Sequence, residues 1–143
     1  MSRAARPATA EDWPHVVALR TAVFVEEQGI DPEIEQDAAD ATAVHVVSRD
    51  DEGRLVATGR LVVRDGVATI GRMATWTGRR GEGYGSAVLD ELQRQAALRG
   101  FPFLELHAQV SARGFYERAG YAVVGEEYEE VGIAHVTMRR ALP

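Results

Sequence analysis

The segment Arg79-Arg80-Gly81-Glu82-Gly83-Tyr84-Gly85-Ser86 combines residue types that can hold a bulky anion. Alternate glycines clear side chains from a turn, so backbone N–H groups can close on a ligand. A helix-like run, Ala87 to Arg99, follows. The first N–H groups of a helix lack partners and its dipole is positive at that end. The two arginines add charge-assisted donors. The expected ligand is a phosphate group. Two sharper phosphate motifs fit less well. A P-loop needs Lys-Ser or Lys-Thr after the glycines, and neither follows. Gly81-x-Gly83-x-x-Ser86, with Glu105 roughly 20 residues on, approaches a dinucleotide fingerprint. Thr77-Gly78-Arg79-Arg80, however, stands where an apolar strand should run into the first glycine. A flexible basic connection is the plain alternative on the pattern alone.

A second set of reactive groups lies further on. If Phe101 to Ala108 alternates as a strand, Phe103, Glu105 and His107 share one face and Leu104, Leu106 and Ala108 the other. A carboxylate and an imidazole two positions apart make a proton relay. The same pair also has a structural reading, with Glu105 held by an arginine and His107 capping a backbone group. The acidic clusters Asp50 to Glu52 and Glu126 to Glu130 read as solvated turn and strand surface. Calcium-loop spacing is absent and the four histidines show no paired helical spacing, so no metal is expected.

These groups need a scaffold. The 143 residues fit a single domain, 1–143, large enough for a core without staples. The absence of cysteine excludes disulfides, thiolate metal sites and cysteine nucleophiles. A net charge of −6 argues against a nucleic-acid partner, and Arg72, Arg79 and Arg80 stand out against that acidic background. The acidity either draws a cationic substrate or serves solubility. No apolar run approaches the roughly 20 residues of a membrane span, and the N-terminus lacks a signal-peptide core. No membrane partner is expected, and the expected location is cytoplasmic.

Thr9 or Asp12 can cap a first helix with the apolar stripe Trp13, Val16, Val17 and Phe24. Glu26 to Thr42 is acidic and irregular, a short helix or a long functional loop. A strand meander follows: Val44 to Ser48, Leu55 to Val63, an Asp65-Gly66 hairpin turn, and Val67 to Trp76. After the glycine-rich turn and its helix come a strand to Ala108, a short helix Ser111 to Ala119, and a final hairpin turning near Gly132. The expected fold class is α/β, a three-layer α-β-α sandwich with a mixed, mostly antiparallel central sheet.

The strand Ile70-Gly71-Arg72-Met73-Ala74-Thr75-Trp76 leading into Arg80-x-x-Gly83-x-Gly85 resembles the acetyl-CoA motif of the GCN5-related N-acetyltransferase (GNAT) family. Gln109-x-x-Ala112-x-x-Phe115-Tyr116-x-x-x-Gly120-Tyr121 resembles its second motif, with glutamine where asparagine is common. Arg20-x-x-Val23-Phe24-x-x-Glu27-Gln28, Asp37, Asp40, Leu106 to Gln109 and Gly132-Ile133-x-His135 are similar to an ElaA-like bacterial subgroup.

The resemblance implies acetyl transfer from acetyl-CoA to a primary amine, of a small molecule or a protein, by direct attack in a ternary complex. It implies a CoA site formed by Met73, Ala74, Thr75, the turn Arg79 to Ser86, and Gln109. Tyr116 becomes the general acid for the departing thiolate, although an aromatic such as Tyr116 also packs readily beside Phe115 and Tyr121. Base candidates are His107, Glu105 and Glu27, with Glu26 and His135 behind them; imidazole accepts a proton near neutral pH, which favours His107. Final strands of this family often pair between subunits, so a homodimer is one expectation, with the oligomeric state left open. A non-catalytic CoA or acyl-CoA sensor is the alternative.

Overall fold

The computed structural model describes residues 3–143. Seven strands form one sheet: β1 (Arg6–Pro7), β2 (Val44–Arg49), β3 (Leu55–Arg64), β4 (Val67–Thr75), β5 (Phe103–Gln109), β6 (Ala122–Glu130) and β7 (Ile133–Ala141). Their spatial order is β1-β2-β3-β4-β5-β7-β6. Only β4 and β5 run parallel. The helices are α1 (Trp13–Arg20), α2 (Pro32–Glu35), α3 (Tyr84–Leu98) and α4 (Arg113–Arg118). A mixed, mostly antiparallel sheet between helical layers is the architecture expected from the sequence.

Strand alternation divides the core in two. On one face, Val46, Leu61, Ile70, Leu104, Leu106 and Met138 pack beneath Val88, Leu89 and Leu92 of α3. On the other, Val16, Leu19, Val23 and Phe24 cover Val47, Leu55 and Ala74. Gly59 sets how closely α3 approaches. A Cβ there would stand 2.5 Å from Met73 Sδ and 2.9 Å from Leu92 Cδ1.

The first helix does not stop at Arg20. It widens into a π-helical stretch, Thr21–Glu27, and ends where Gly29 takes a φ of 73°. The Asp65-Gly66 turn has φ values of 51° and 78°, the doubly left-handed geometry that such hairpins need. One expectation is corrected here. Asp50 is not solvated: it is 7% exposed, accepts the backbone N–H groups of Glu52 and Arg54, and binds Arg54 and Arg79.

Two irregularities shape the centre of the sheet. β4 pairs with β5 only through Ala68↔Leu104, Thr69↔Glu105 and Ile70↔Leu106, after which the strands part. Opposite β3, β4 carries one extra residue, since Thr58 faces Ala74 while Arg60 faces Gly71. This bulge holds Arg72 at a φ of 53°, a left-handed conformation that costs a non-glycine residue energy.

Candidate active site

A cleft of about 1060 Å³ runs from the glycine-rich turn, through the gap between β4 and β5, to α2. At the turn, Gly81 and Gly83 have φ values of 79° and 92°, so the chain passes through conformations that side chains disfavour. Gly83 precedes α3 with no side-chain cap, and the first helical bond runs from Ala87 N–H to Gly83 O. The N–H groups of Tyr84, Gly85 and Ser86 therefore have no partner inside the helix. Gly85 lies close to β4 and α4, where a Cβ would meet Thr75 Oγ1 at 3.4 Å and Phe115 at 3.7 Å. The turn thus leaves backbone donors without a partner inside the helix.

The arginines of this turn are not idle. Arg80 donates two 2.8 Å hydrogen bonds to the Glu27 carboxylate and one of 3.0 Å to Thr75 O. Arg80 holds the Glu27 carboxyl below its usual pKa. Arg79 donates to Asp50 at 3.2 Å and lies 3.6 Å from Glu82. Arg3, which no motif singles out, donates to Glu82 O at 3.1 Å and stacks on the Tyr84 ring. Arg72 belongs elsewhere, on the α2 side of the cleft.

Met73, Ala74 and Thr75 line one lip of the gap, and Leu106 to Gln109 line the other. Gln109 Nε2 donates to Gln28 Oε1 at 2.7 Å, tying the end of β5 to the chain beyond the π-helical stretch. Tyr116 reaches the gap from the α3 face. It is 7% exposed, packs edge-on against Phe115 and Tyr121, and still lines the cleft, so packing and cleft-lining coexist in one side chain. Burial raises its pKa.

On the opposite face, the alternation expected for β5 is present: Leu104, Leu106 and Ala108 are buried while Glu105 and His107 are not. His107 lines the cleft. Its Nε2 lies 3.2 Å from Glu105, whose other oxygen accepts from Arg139 Nε at 2.8 Å. Glu105 is not among the cleft-lining residues. It sits behind His107 as an anchored carboxylate, its pKa lowered by Arg139 and His107 against the opposing effect of burial. His135 stacks on Tyr128, and Tyr128 in turn stands edge-on to His107. The sequence did not signal Tyr128, because its place depends on a bulge in β6 between Val124 and Tyr128.

The α2 wall is held by charge. Arg20, 1% exposed, binds Glu35 and Asp40; Arg60, 3% exposed, binds Asp37 and Asp40. Arg72 donates to the backbone oxygens of Glu35 and Ile34 at 3.0 and 3.2 Å. None of these pairs is local in sequence. Among the described residues, no cluster of three or more His, Cys, Asp or Glu could hold a metal, and no helix is long and apolar enough to cross a membrane.

A parted parallel strand pair beside a helix that opens on glycines is the arrangement that the resemblance to the GNAT family implies. Residues 11–142 match the acetyltransferase (GNAT) domain, and the chain belongs to that family. It is 33% identical over 123 residues to the uncharacterized N-acetyltransferase YjcF of Bacillus subtilis, covering 85% of this chain and 87% of that protein. An acyl-CoA N-acyltransferase from Pseudomonas aeruginosa superposes with a TM-score of 0.83 at 30% identity, over 98% of this chain and 100% of the other. Escherichia coli ElaA gives a TM-score of 0.83 at 26% identity, over 96% and 99% of the two chains. The chain is an acyltransferase, and the family supports CoA as the acyl carrier. The non-catalytic sensor alternative loses its ground.

Proposed function

We propose that this acyltransferase moves an acetyl group from acetyl-CoA to a primary amine by direct attack, with both substrates bound. The observation that carries this reading is the parting of β4 from β5 after Ile70↔Leu106, with Tyr116 reaching the gap from one face and His107 from the other. A thioester threaded through that gap has a proton donor on one side and a proton acceptor on the other.

Each residue then has a task. The free N–H groups of Tyr84, Gly85 and Ser86 hold the pyrophosphate, with Arg79 to Gly83 shaping the turn. The edge of β4 at Met73, Ala74 and Thr75, unpaired to β5, takes the pantetheine arm and supplies a donor to the oxygen that gains charge. Gln109 forms the opposite lip. His107 takes the proton of the attacking amine, and Glu105, fixed by Arg139, orients its ring. Glu27 belongs to the turn, through Arg80. Tyr116 protonates the leaving thiolate. Burial keeps its hydroxyl protonated and raises the proton affinity of a thiolate formed beside it in the same sense. With no cysteine in the chain, a thiol-borne acetyl-enzyme has no nucleophile.

The test combines acetyl-CoA with a panel of primary amines, following free CoA and acetylated product by mass spectrometry. Acetyl-amine should form, and no acetylated protein should accumulate without acceptor. Tyr116→Phe should slow turnover by about 10²–10⁴-fold with CoA affinity unchanged. His107→Ala should remove the acidic limb of the rate profile. A limb that survives there and vanishes in Glu27→Gln would move the base to the carboxylate.

A further inference from the structure

The far end of the cleft carries a positive charge that its own carboxylates do not neutralise. Alternation along β3 places Arg60, Val62 and Arg64 on the α1 face of the sheet, and all three line the cleft. Around Arg60 the charges close. The guanidiniums of Arg20, Arg60 and Arg72 meet the carboxylates of Glu35, Asp37 and Asp40. Asp37 is occupied so fully that its pKa is held low, chiefly by the hydrogen bond from Arg60. Neither Glu35 nor Asp37 is therefore available to an incoming ammonium.

Arg64 is the fourth guanidinium here: its charge helps to hold the Asp37 pKa down, yet no carboxylate pairs with it among the described residues. It is exposed and lines the cleft. Further back along β3, the Nε of the 3%-exposed Arg60 is buried and has no hydrogen-bond partner among the described residues. Elsewhere on the cleft wall, Glu130 lies 3.6 Å from His135. Arg60 lies level with Gly71, at the point where β4 leaves β5, and Arg64 is four residues further along β3. Strand rise makes that roughly 13 Å, shortened by the reach of the arginine side chain.

We infer that the acceptor is a primary amine carrying a carboxylate several bonds away, and that the carboxylate docks on Arg64 while the amine faces His107. A planar carboxylate matches the single guanidinium fork; a phosphate dianion would call for more than one free cation. The inference rests on the transfer reading above and specifies its acceptor class.

The experiment compares ω-aminohexanoate with its neutral amide, in the wild-type protein and in Arg64→Gln. Two readouts are taken: kcat/KM with acetyl-CoA, and calorimetric binding of each amine to the protein saturated with CoA. The wild type should favour the acid by about tenfold or more, the size of a charge-assisted contact, in both readouts. In Arg64→Gln the ratio should fall towards one, with CoA binding itself unchanged as the check of folding. Arg64-dependent binding of the acid without acetyl transfer would overturn the transfer reading and leave this inference standing. Equal use of acid and amide, a preference that survives Arg64→Gln, or no binding of the acid would overturn the inference. Turnover of other amines in that last case would leave the transfer reading intact.

Discussion

Glu27 and Arg80 hold each other through two parallel 2.8 Å hydrogen bonds, joining the end of the π-helical stretch to the glycine-rich turn. Both side chains are 42% exposed, so the pair is open to solvent and weak by itself. Its importance is competitive, because the guanidinium that a pyrophosphate would recruit already has a carboxylate. Glu27→Gln should tighten CoA binding by about 1.5–5-fold, the range expected on removing one charged competitor at a half-exposed site. Isothermal calorimetry of CoA checks this. An unchanged or weakened affinity would show that Arg80 does not bind the phosphates.

A second variant should separate stability from affinity. Ser86 lies in the first turn of α3, where an added carboxylate favours the helix by about 0.3–1 kcal/mol through the dipole. The same carboxylate would stand where the pyrophosphate is proposed to bind. Ser86→Asp should therefore raise the melting temperature slightly and abolish detectable CoA binding. If affinity persists, the phosphate lies elsewhere.

Arg72 offers a test of the β4 bulge. In an ordinary strand, glycine is less stable than alanine by about 0.5–1 kcal/mol. At φ 53° that order should invert. Relief of the left-handed penalty makes Arg72→Gly more stable than Arg72→Ala by about 1 kcal/mol, although both lose the bonds to Ile34 and Glu35. Urea denaturation of the two variants decides it, and the usual strand order would mean the bulge is absent in solution.

The Arg60–Asp37 pair predicts how the fold responds to acid. Asp37 has its pKa pushed down from 3.8 to about 2, first by the hydrogen bond from Arg60. A group whose folded pKa lies below its unfolded value stabilises the fold above the unfolded value. That contribution is lost as pH falls through the folded one. Stability should therefore drop between about pH 4 and pH 2, and Asp37→Asn should flatten that slope while lowering stability at neutral pH. Denaturant midpoints measured across the range give the answer; parallel curves for the two proteins would contradict it.

What could be read from the sequence was what depends on neighbours in the chain. The glycine-rich turn, the Asp65-Gly66 hairpin and the alternation that puts Glu105 and His107 on one face are all short-range patterns, and each has its expected geometry. The π-helical widening at Thr21–Glu27 has no such pattern, because an i→i+5 turn uses the same residues as an α-helix. Asp50 reads as a solvated turn residue because its bonds to Glu52 and Arg54 are those of a turn, while its second arginine partner, Arg79, is 29 residues away. Arg72 was grouped with Arg79 and Arg80 by charge, yet the bulge turns its side chain towards α2. Gly59 carries no signal in an apolar strand, since only the approach of α3 shows why no side chain fits.

The way α2 is attached has a consequence for inheritance. The sheet and α1 supply the guanidiniums, and the segment supplies carboxylates and backbone oxygens, while its own Ile34 is 52% exposed and fills no core. The arginines act as sockets that read charge and leave shape largely free. A segment of different length or sequence could be grafted in their place, provided it brings two or three acids to the same sockets. Descendants of such a chain can trade one proposed acceptor wall for another by insertion or deletion and keep the proposed thioester site untouched.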